Sequence, residues 1–128
     1  MKQLLLDTHV LLWWLSDDPQ LGESSRHAIA NPRNQVYVSA ASAWEISIKK
    51  SIGKLTAPDD MDAIVESEGF EKLPITLFHG DQAGSLPELH KDPFDRMLIA
   101  QAQSEGLVIV TNDVKIIQYK IRTMDAKK

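Results

Sequence analysis

The sequence predicts an α/β fold with a central parallel sheet flanked by helices, and three observations predict it. Short apolar runs at Gln3–Leu6, Val36–Val38 and Leu107–Val110 are too brief for helices and carry the aliphatic, β-branched residues of buried parallel strands. Segments with helix start and stop signals lie between them, and strands that alternate with helices define a parallel sheet. The chain has 128 residues, 43% of them hydrophobic, enough for one compact domain with a real core and too few for much beyond it.

Gln3–Leu6 is the first strand, closed by Asp7 and Thr8. Thr8–Leu15 reads as a helix stopped by Asp17, Asp18 and Pro19, and Ser24–Ala30 as a second helix ended by Asn31-Pro32. Val36–Val38 is the next strand. Ser39 is a good N-cap for a helix from Ala40 to about Ile52, with Gly53 as its stop. Met61–Glu68 is expected to be helical, with Gly69 behind it. Glu71–Ile75 reads as a short third strand, and Pro74 points to a sheet edge. Phe78–Ala83 is expected to be helical and Ser85-Leu86-Pro87 to be loop. Asp92-Pro93 opens the clearest helix, Asp at N-cap and Pro at N1, running to Glu105 with Gly106 at C′. Leu107–Val110 is then a strand, Thr111-Asn112-Asp113 a turn, Val114–Tyr119 a short helix and Ile121–Met124 a final strand. No repeat, charge block or low-complexity stretch divides the chain, so a single domain over 1–128 is expected.

Composition excludes several classes. Zero cysteines rule out a disulfide framework, a thiolate zinc site and a cysteine nucleophile. The apolar run Val10–Leu15 falls far short of the ~20 residues that span a bilayer. It also lacks the basic lead-in and cleavage pattern of a signal peptide, so a cytoplasmic protein without a membrane partner is expected. With 14 Lys+Arg against 18 Asp+Glu, the net charge of −4 argues against a coating, non-specific nucleic-acid binder.

The acids carry the chemistry. Asp7 and Asp113 each follow the carboxyl end of a strand, where ligands bind in open parallel sheets; taken singly, each reads first as a helix N-cap. Glu45 shares a helical stripe with Ala41, Ile48 and Ile52, which points it toward the core or its rim. The alternative is a salt bridge to Lys49 at i+4, on a solvated edge. Asp95 heads the apolar face of Leu98, Ile99 and Ala102, or else sits in the first helical turn because the dipole favours an acid there. Asp92 is explained as an N-cap ahead of Pro93. Carboxylates gathered at one place repel unless they share protons or a cation intervenes. A hard divalent ion with oxygen ligands, Mg²⁺ or Mn²⁺, is the natural occupant, and phosphodiester hydrolysis is the chemistry it suits. Thr111, at the mouth of the same strand as Asp113, could hold a water or phosphate, or be an ordinary strand threonine. His9, His27, His79 and His90 show no metal-binding pair spacing, and surface or cap roles fit them, although His90 lies near enough to Asp92 and Asp95 to touch substrate. No glycine-rich phosphate loop, nucleophile elbow or HExxH is present.

Four segments resemble the PIN-domain ribonucleases, and among them the VapC-like toxins of bacterial toxin–antitoxin pairs. They are Leu4-Leu5-Leu6-Asp7-Thr8-His9, Ser39-Ala40-Ala41-Ser42-Ala43-Trp44-Glu45-Ile46, the run His90 to Ala102, and Val110-Thr111-Asn112-Asp113. The resemblance implies a parallel sheet of order 3-2-1-4-5 and Mg²⁺- or Mn²⁺-dependent endonucleolytic cleavage of RNA. It implies Asp7, Glu45, Asp95 and Asp113 as the acidic quartet, with Asp7 and Asp95 the principal metal ligands and Thr111 a supporting hydroxyl. It implies a homodimer neutralised by a cognate antitoxin.

Leu11, Leu12, Trp13, Trp14 and Leu15 are consecutive on a short helix, and successive residues point ~100° apart, so a Trp13- and Trp14-bearing surface is expected for another chain. Burial on both sides within the monomer is the alternative. Lys49, Lys50 and Lys54 follow Glu45, and Arg96 adjoins Asp95; both groups are candidates for RNA contact or simply a solvated face. Two other functions compete with the nuclease: a non-catalytic protein-binding module whose acids are only caps, and a small metal-dependent phosphatase.

Overall fold

The computed structural model describes residues 1–128. Five strands form one all-parallel sheet: β1 (Gln3–Leu6), β2 (Gln35–Ser39), β3 (Glu71–Leu73), β4 (Val108–Thr111) and β5 (Thr123–Asp125), in the order β3-β2-β1-β4-β5. Register pairs Leu5 with Tyr37 on one side of β1 and with Ile109 on the other. Seven helices connect them: α1 (Thr8–Leu15), α2 (Glu23–Ala30), α3 (Ala40–Ser51), α4 (Met61–Ser67), α5 (Leu77–Ser85), α6 (Pro93–Glu105) and α7 (Val114–Ile117). None is long and apolar enough to cross a membrane.

The period of two along each strand divides the core between the two faces of the sheet. Leu4, Leu6, Val36, Val38 and Val110 meet Val10 and Leu11 of α1, Ile29 of α2, Ile46 of α3 and Val65 of α4. Leu5 and Ile109 pack on the other side with Leu98, Ile99 and Ala102 of α6 and Ile116 of α7. Strands buried on both faces are the reason β1 and β4 read as continuous apolar runs.

β1, α1 and α6 have the expected bounds; the short elements shift by a residue or two. β3 stops at Leu73 because Pro74 cannot donate to the ladder, and it does lie at an edge. β4 extends to Thr111, whose carbonyl accepts from Ala126, so the hydroxyl expected in a turn sits on the sheet. Gly106 ends α6 at φ 69°, a left-handed cap that a side chain would oppose.

From β1 the chain winds outward through β2 to β3, then returns to the other side of β1 for β4 and β5. The winding therefore reverses between β1 and β4, whose carboxyl ends flank the crevice where such sheets hold ligands.

Candidate active site

Asp7 and Thr111 terminate the two strands at that crevice. Asp7 is the N-cap of α1: its Oδ1 accepts from Val10 N–H at 2.8 Å, and its Oδ2 accepts from Thr111 Oγ1 at 2.5 Å. The cap and the site are thus the same carboxylate, so the two readings of Asp7 are compatible. Only 3% of the residue is exposed. Burial pushes its carboxyl up from its ordinary value, against the hydrogen bonds from Thr111 and Val10 and the charge of His9, with Asp113 adding repulsion. Thr111 Oγ1 also accepts from Asp113 N–H at 3.0 Å, tying the two acidic positions through one buried hydroxyl. Asp113 in turn caps α7 through Lys115 N–H at 2.9 Å.

Glu45 enters from the second turn of α3 and is 5% exposed. Thr8 Oγ1 donates to its Oε1 at 2.8 Å, and Lys49 Nζ lies 2.6 Å from its Oε2. Core-facing acid and i+4 ion pair coexist here, because the long lysine stem reaches over from the half-buried flank. The carboxylate beside it holds the Lys49 ammonium above its ordinary pKa. The expected stripe is only partly right. Ala41 and Glu45 are buried with Ser42 and Ile46, whereas Ile48 is half-buried and Ile52 is 58% exposed, past the last turn of the helix.

α6 supplies the third side. Asp92 Oδ1 accepts from Phe94 and Asp95 N–H at 2.9 and 3.0 Å, which makes it the expected cap. Asp95 stands in the first turn, its Oδ2 2.7 Å from His90 Nε2. Burial pushes the Asp95 carboxyl up to about 6; the His90 hydrogen bond opposes this, and the charges of Asp92 and Asp113 reinforce it.

All four quartet positions, with Asp92, line one cleft of about 270 Å³ that has no hydrophobic residue in its wall. Thr8, His9, Lys49, His90 and Lys115 complete it. His90, Asp95 and Asp113 each offer a ligand atom within 4.8 Å of one another. Carboxylates and one imidazole form a donor set suited to a hard or borderline divalent ion such as Mn²⁺ or Mg²⁺. Burial raises two of the carboxyls, Asp7 and Asp95, and a divalent ion among them would offset that cost. The residues fit the ion.

Three further candidates, Arg96, Trp13 and Trp14, lie outside the cleft. The Arg96 guanidinium turns away from the cleft and donates to the carbonyls of Ala83, Leu86, Pro87 and His90 at 2.8–3.1 Å. It holds the loop that delivers His90 to Asp95, helped by Tyr119, whose hydroxyl accepts from His90 N–H and donates to Pro87 O. Trp13 and Trp14 are half-buried against their own core. Trp14 Nε1 donates to Glu68 Oε1 at 2.7 Å, and Lys127 Nζ sits 4.9 Å from the centre of the Trp13 ring. Each reading of this helix holds in part: the rings pack on their own core and keep part of their surface exposed. More exposed apolar side chains include Trp44 at 62%, Leu77 at 92%, Phe78 at 58% and Val114 at 75%. Sequence reasoning passed over Thr8 and Lys115, gave His9 a surface or cap role, and kept His90 only as a candidate substrate contact. Their signal was position: Thr8 and Lys115 each lie within two residues of a candidate acid, and His90 within five.

An all-parallel sheet with a carboxylate-lined cleft at its switch point defines the class: an α/β protein with acids gathered beyond its strand ends. The PIN domain model matches residues 4–122, and the chain belongs to that family. No curated protein matches it in sequence. Among solved structures it is similar to a chain of the Rickettsia felis VapBC2 complex bound to a promoter DNA fragment, with TM-score 0.70, 15% identity, and 95% of this chain and 97% of that one covered. A toxin–antitoxin complex from Klebsiella pneumoniae gives TM-score 0.69 at 18% identity, covering 95% and 96%. DNA-bound VapBC from Salmonella typhimurium gives 0.65 at 23%, covering 98% of each chain. At these identities the likeness is one of fold.

Proposed function

We propose that the protein is a divalent-metal-dependent endoribonuclease and the toxin of a toxin–antitoxin pair. The observation that carries the reading is the convergence of five carboxylates, from the ends of β1 and β4 and from α3 and α6, on one cleft without apolar lining. Family membership and the toxin–antitoxin assemblies to which similar chains belong support it.

Asp7 and Asp95 are the principal ligands for Mg²⁺ or Mn²⁺, and Glu45 and Asp113 complete the site or orient water. A bound ion supplies the lowered water pKa and the charge stabilisation that phosphodiester hydrolysis needs. The chain's own residues do the rest. Thr111 fixes one oxygen of Asp7 while the α1 N-terminus fixes the other. Thr8 and Lys49 orient Glu45 from opposite sides. His90 steadies Asp95, and Lys115 offers a cation to the substrate phosphate.

The cap-only reading accounts for Asp7, Asp92 and Asp113, which are all N-caps. It does not account for Glu45, buried and mid-helix, or for Asp95, whose carboxyl is pushed up to about 6 by burial beside His90. The test is RNA cleavage with Mg²⁺ or Mn²⁺, repeated with EDTA and with Asp7→Ala and Asp95→Ala. Cleavage that survives both substitutions sinks the assignment, and metal-dependent phosphate release from monoesters without RNA cleavage turns it to a phosphatase. The reading takes the protein as cytoplasmic, neutralised by a cognate antitoxin, and a homodimer. Trp44, edge-on to Phe94 at 5.4 Å, together with Leu77 and Phe78, offers the apolar area a second chain would cover. Sedimentation of the isolated chain checks the dimer.

A further inference from the structure

Beside the acidic cleft lies a second groove of about 350 Å³, between α1 and the segment that follows α3. The two share a wall of Thr8, His9 and Lys49; the remainder of the second groove is Leu12, Lys54 and Leu55, with no carboxylate. Charge therefore changes sign across the shared wall. We propose that this groove is a subsite for single-stranded RNA flanking the cleaved bond, with Lys54 and Lys49 on phosphate and Leu12 and Leu55 against a base. The proposal rests on the nuclease reading above.

A polyanion can meet five carboxylates only where a cation sits among them, so its flanking phosphates must leave over a wall of the opposite sign. Lys49 is shared with Glu45 at 2.6 Å and marks the border. Lys54 forms no ion pair, in contrast to Lys49, Lys50 and Lys72. Its backbone N–H bonds to Lys49 O at 2.9 Å, which closes the turn that sets the two lysines side by side. Leu12 and Leu55 are half-buried against the core and give the groove an apolar floor. Each nucleotide is an anion joined to a flat, weakly polar ring, and a cation next to an apolar floor matches both halves.

The test compares the intact wild-type protein with Lys54→Ala, Lys54→Glu and Lys120→Ala, an equal charge change at an exposed lysine outside both grooves. Substrates are a single-stranded dodecaribonucleotide and a dinucleotide diester that spans only the cleaved bond. Lys54→Ala is expected to raise KM for the dodecamer about 3–10-fold and Lys54→Glu further, with kcat within about twofold, and to flatten the salt dependence of log KM by ~0.7. The dinucleotide, and Lys120→Ala on either substrate, should behave as wild type. Unchanged KM and salt slope in both Lys54 variants, or equal losses on the dinucleotide, overturn the subsite and leave the nuclease standing. A wild-type protein that cleaves neither substrate overturns the nuclease reading and the subsite with it.

Discussion

Replacing Asp95 by Asn should strengthen the fold while removing a proposed metal ligand. In the folded chain the Asp95 carboxyl is pushed up to about 6, first by burial, from an ordinary value of 3.8. The folded state thus binds the proton more tightly than the unfolded chain. The group's favourable contribution is complete below about pH 4 and is lost as the pH rises through about 6. A gap of roughly two pH units at 1.36 kcal/mol each sets an upper bound of about 3 kcal/mol against folding at neutral pH. The cleft is open to water, which reduces that figure, and the acid in the first turn of α6 recovers about 0.5–1 kcal/mol from the helix dipole. Asn keeps the side-chain oxygen that faces His90 and removes the charge. Asp95→Asn should therefore be more stable by about 1–2 kcal/mol at neutral pH, a rise in Tm of roughly 3–8 °C for a chain of this length. Thermal melts of both proteins in EDTA, at about pH 7.5 and about pH 5, measure this, and the difference should shrink at the lower pH, where wild-type Asp95 is mostly protonated. A variant that melts at or below wild type at pH 7.5, or a gap indifferent to pH, refutes the reasoning. Added Mn²⁺ should raise the Tm of wild type and do little for the variant, because only a ligated ion stabilises by mass action.

Other expectations follow from the same contacts. Thr111→Val removes the donor to Asp7 and the acceptor for Asp113 N–H, and should cost about 1–3 kcal/mol in urea unfolding together with most of the activity. Arg96→Ala frees the loop that carries His90; activity should fall well before stability does, and proteolysis within 83–90 should speed up. Gly22→Ala would drive a methyl into the backbone of Lys127 and Lys128, so a loss of about 1–3 kcal/mol is expected without effect on metal-induced stabilisation. Leu5→Ala, in the fully buried centre of β1, should cost about 2–5 kcal/mol and serves as the benchmark for a purely structural defect.

Much of the fold was legible because its signals act within a few residues. Aliphatic runs flanked by caps marked β1 and β4, and Asp92-Pro93 with Gly106 bounded α6 at both ends. The acids too were visible one at a time, at strand ends and at the head of apolar faces. That Pro74 lies at an edge followed from its missing donor alone. Strand order was different: no periodicity contains it, and it entered through the family resemblance. The meeting of the acids depends on that order, since the bond from Thr111 to Asp7 joins positions 104 residues apart. Side-chain direction belongs to the same level. Arg96 adjoins Asp95 in the chain yet points into the loop, because consecutive residues on a helix face ~100° apart. Trp13 and Trp14 carry enough apolar area for a partner, and Glu68, Phe70 and Lys127 arrive from distant segments to take up part of it. Composition and local pattern therefore determined which residues could act. Only the tertiary structure decided which of them stand together, because each meeting is a contact between segments the chain keeps far apart.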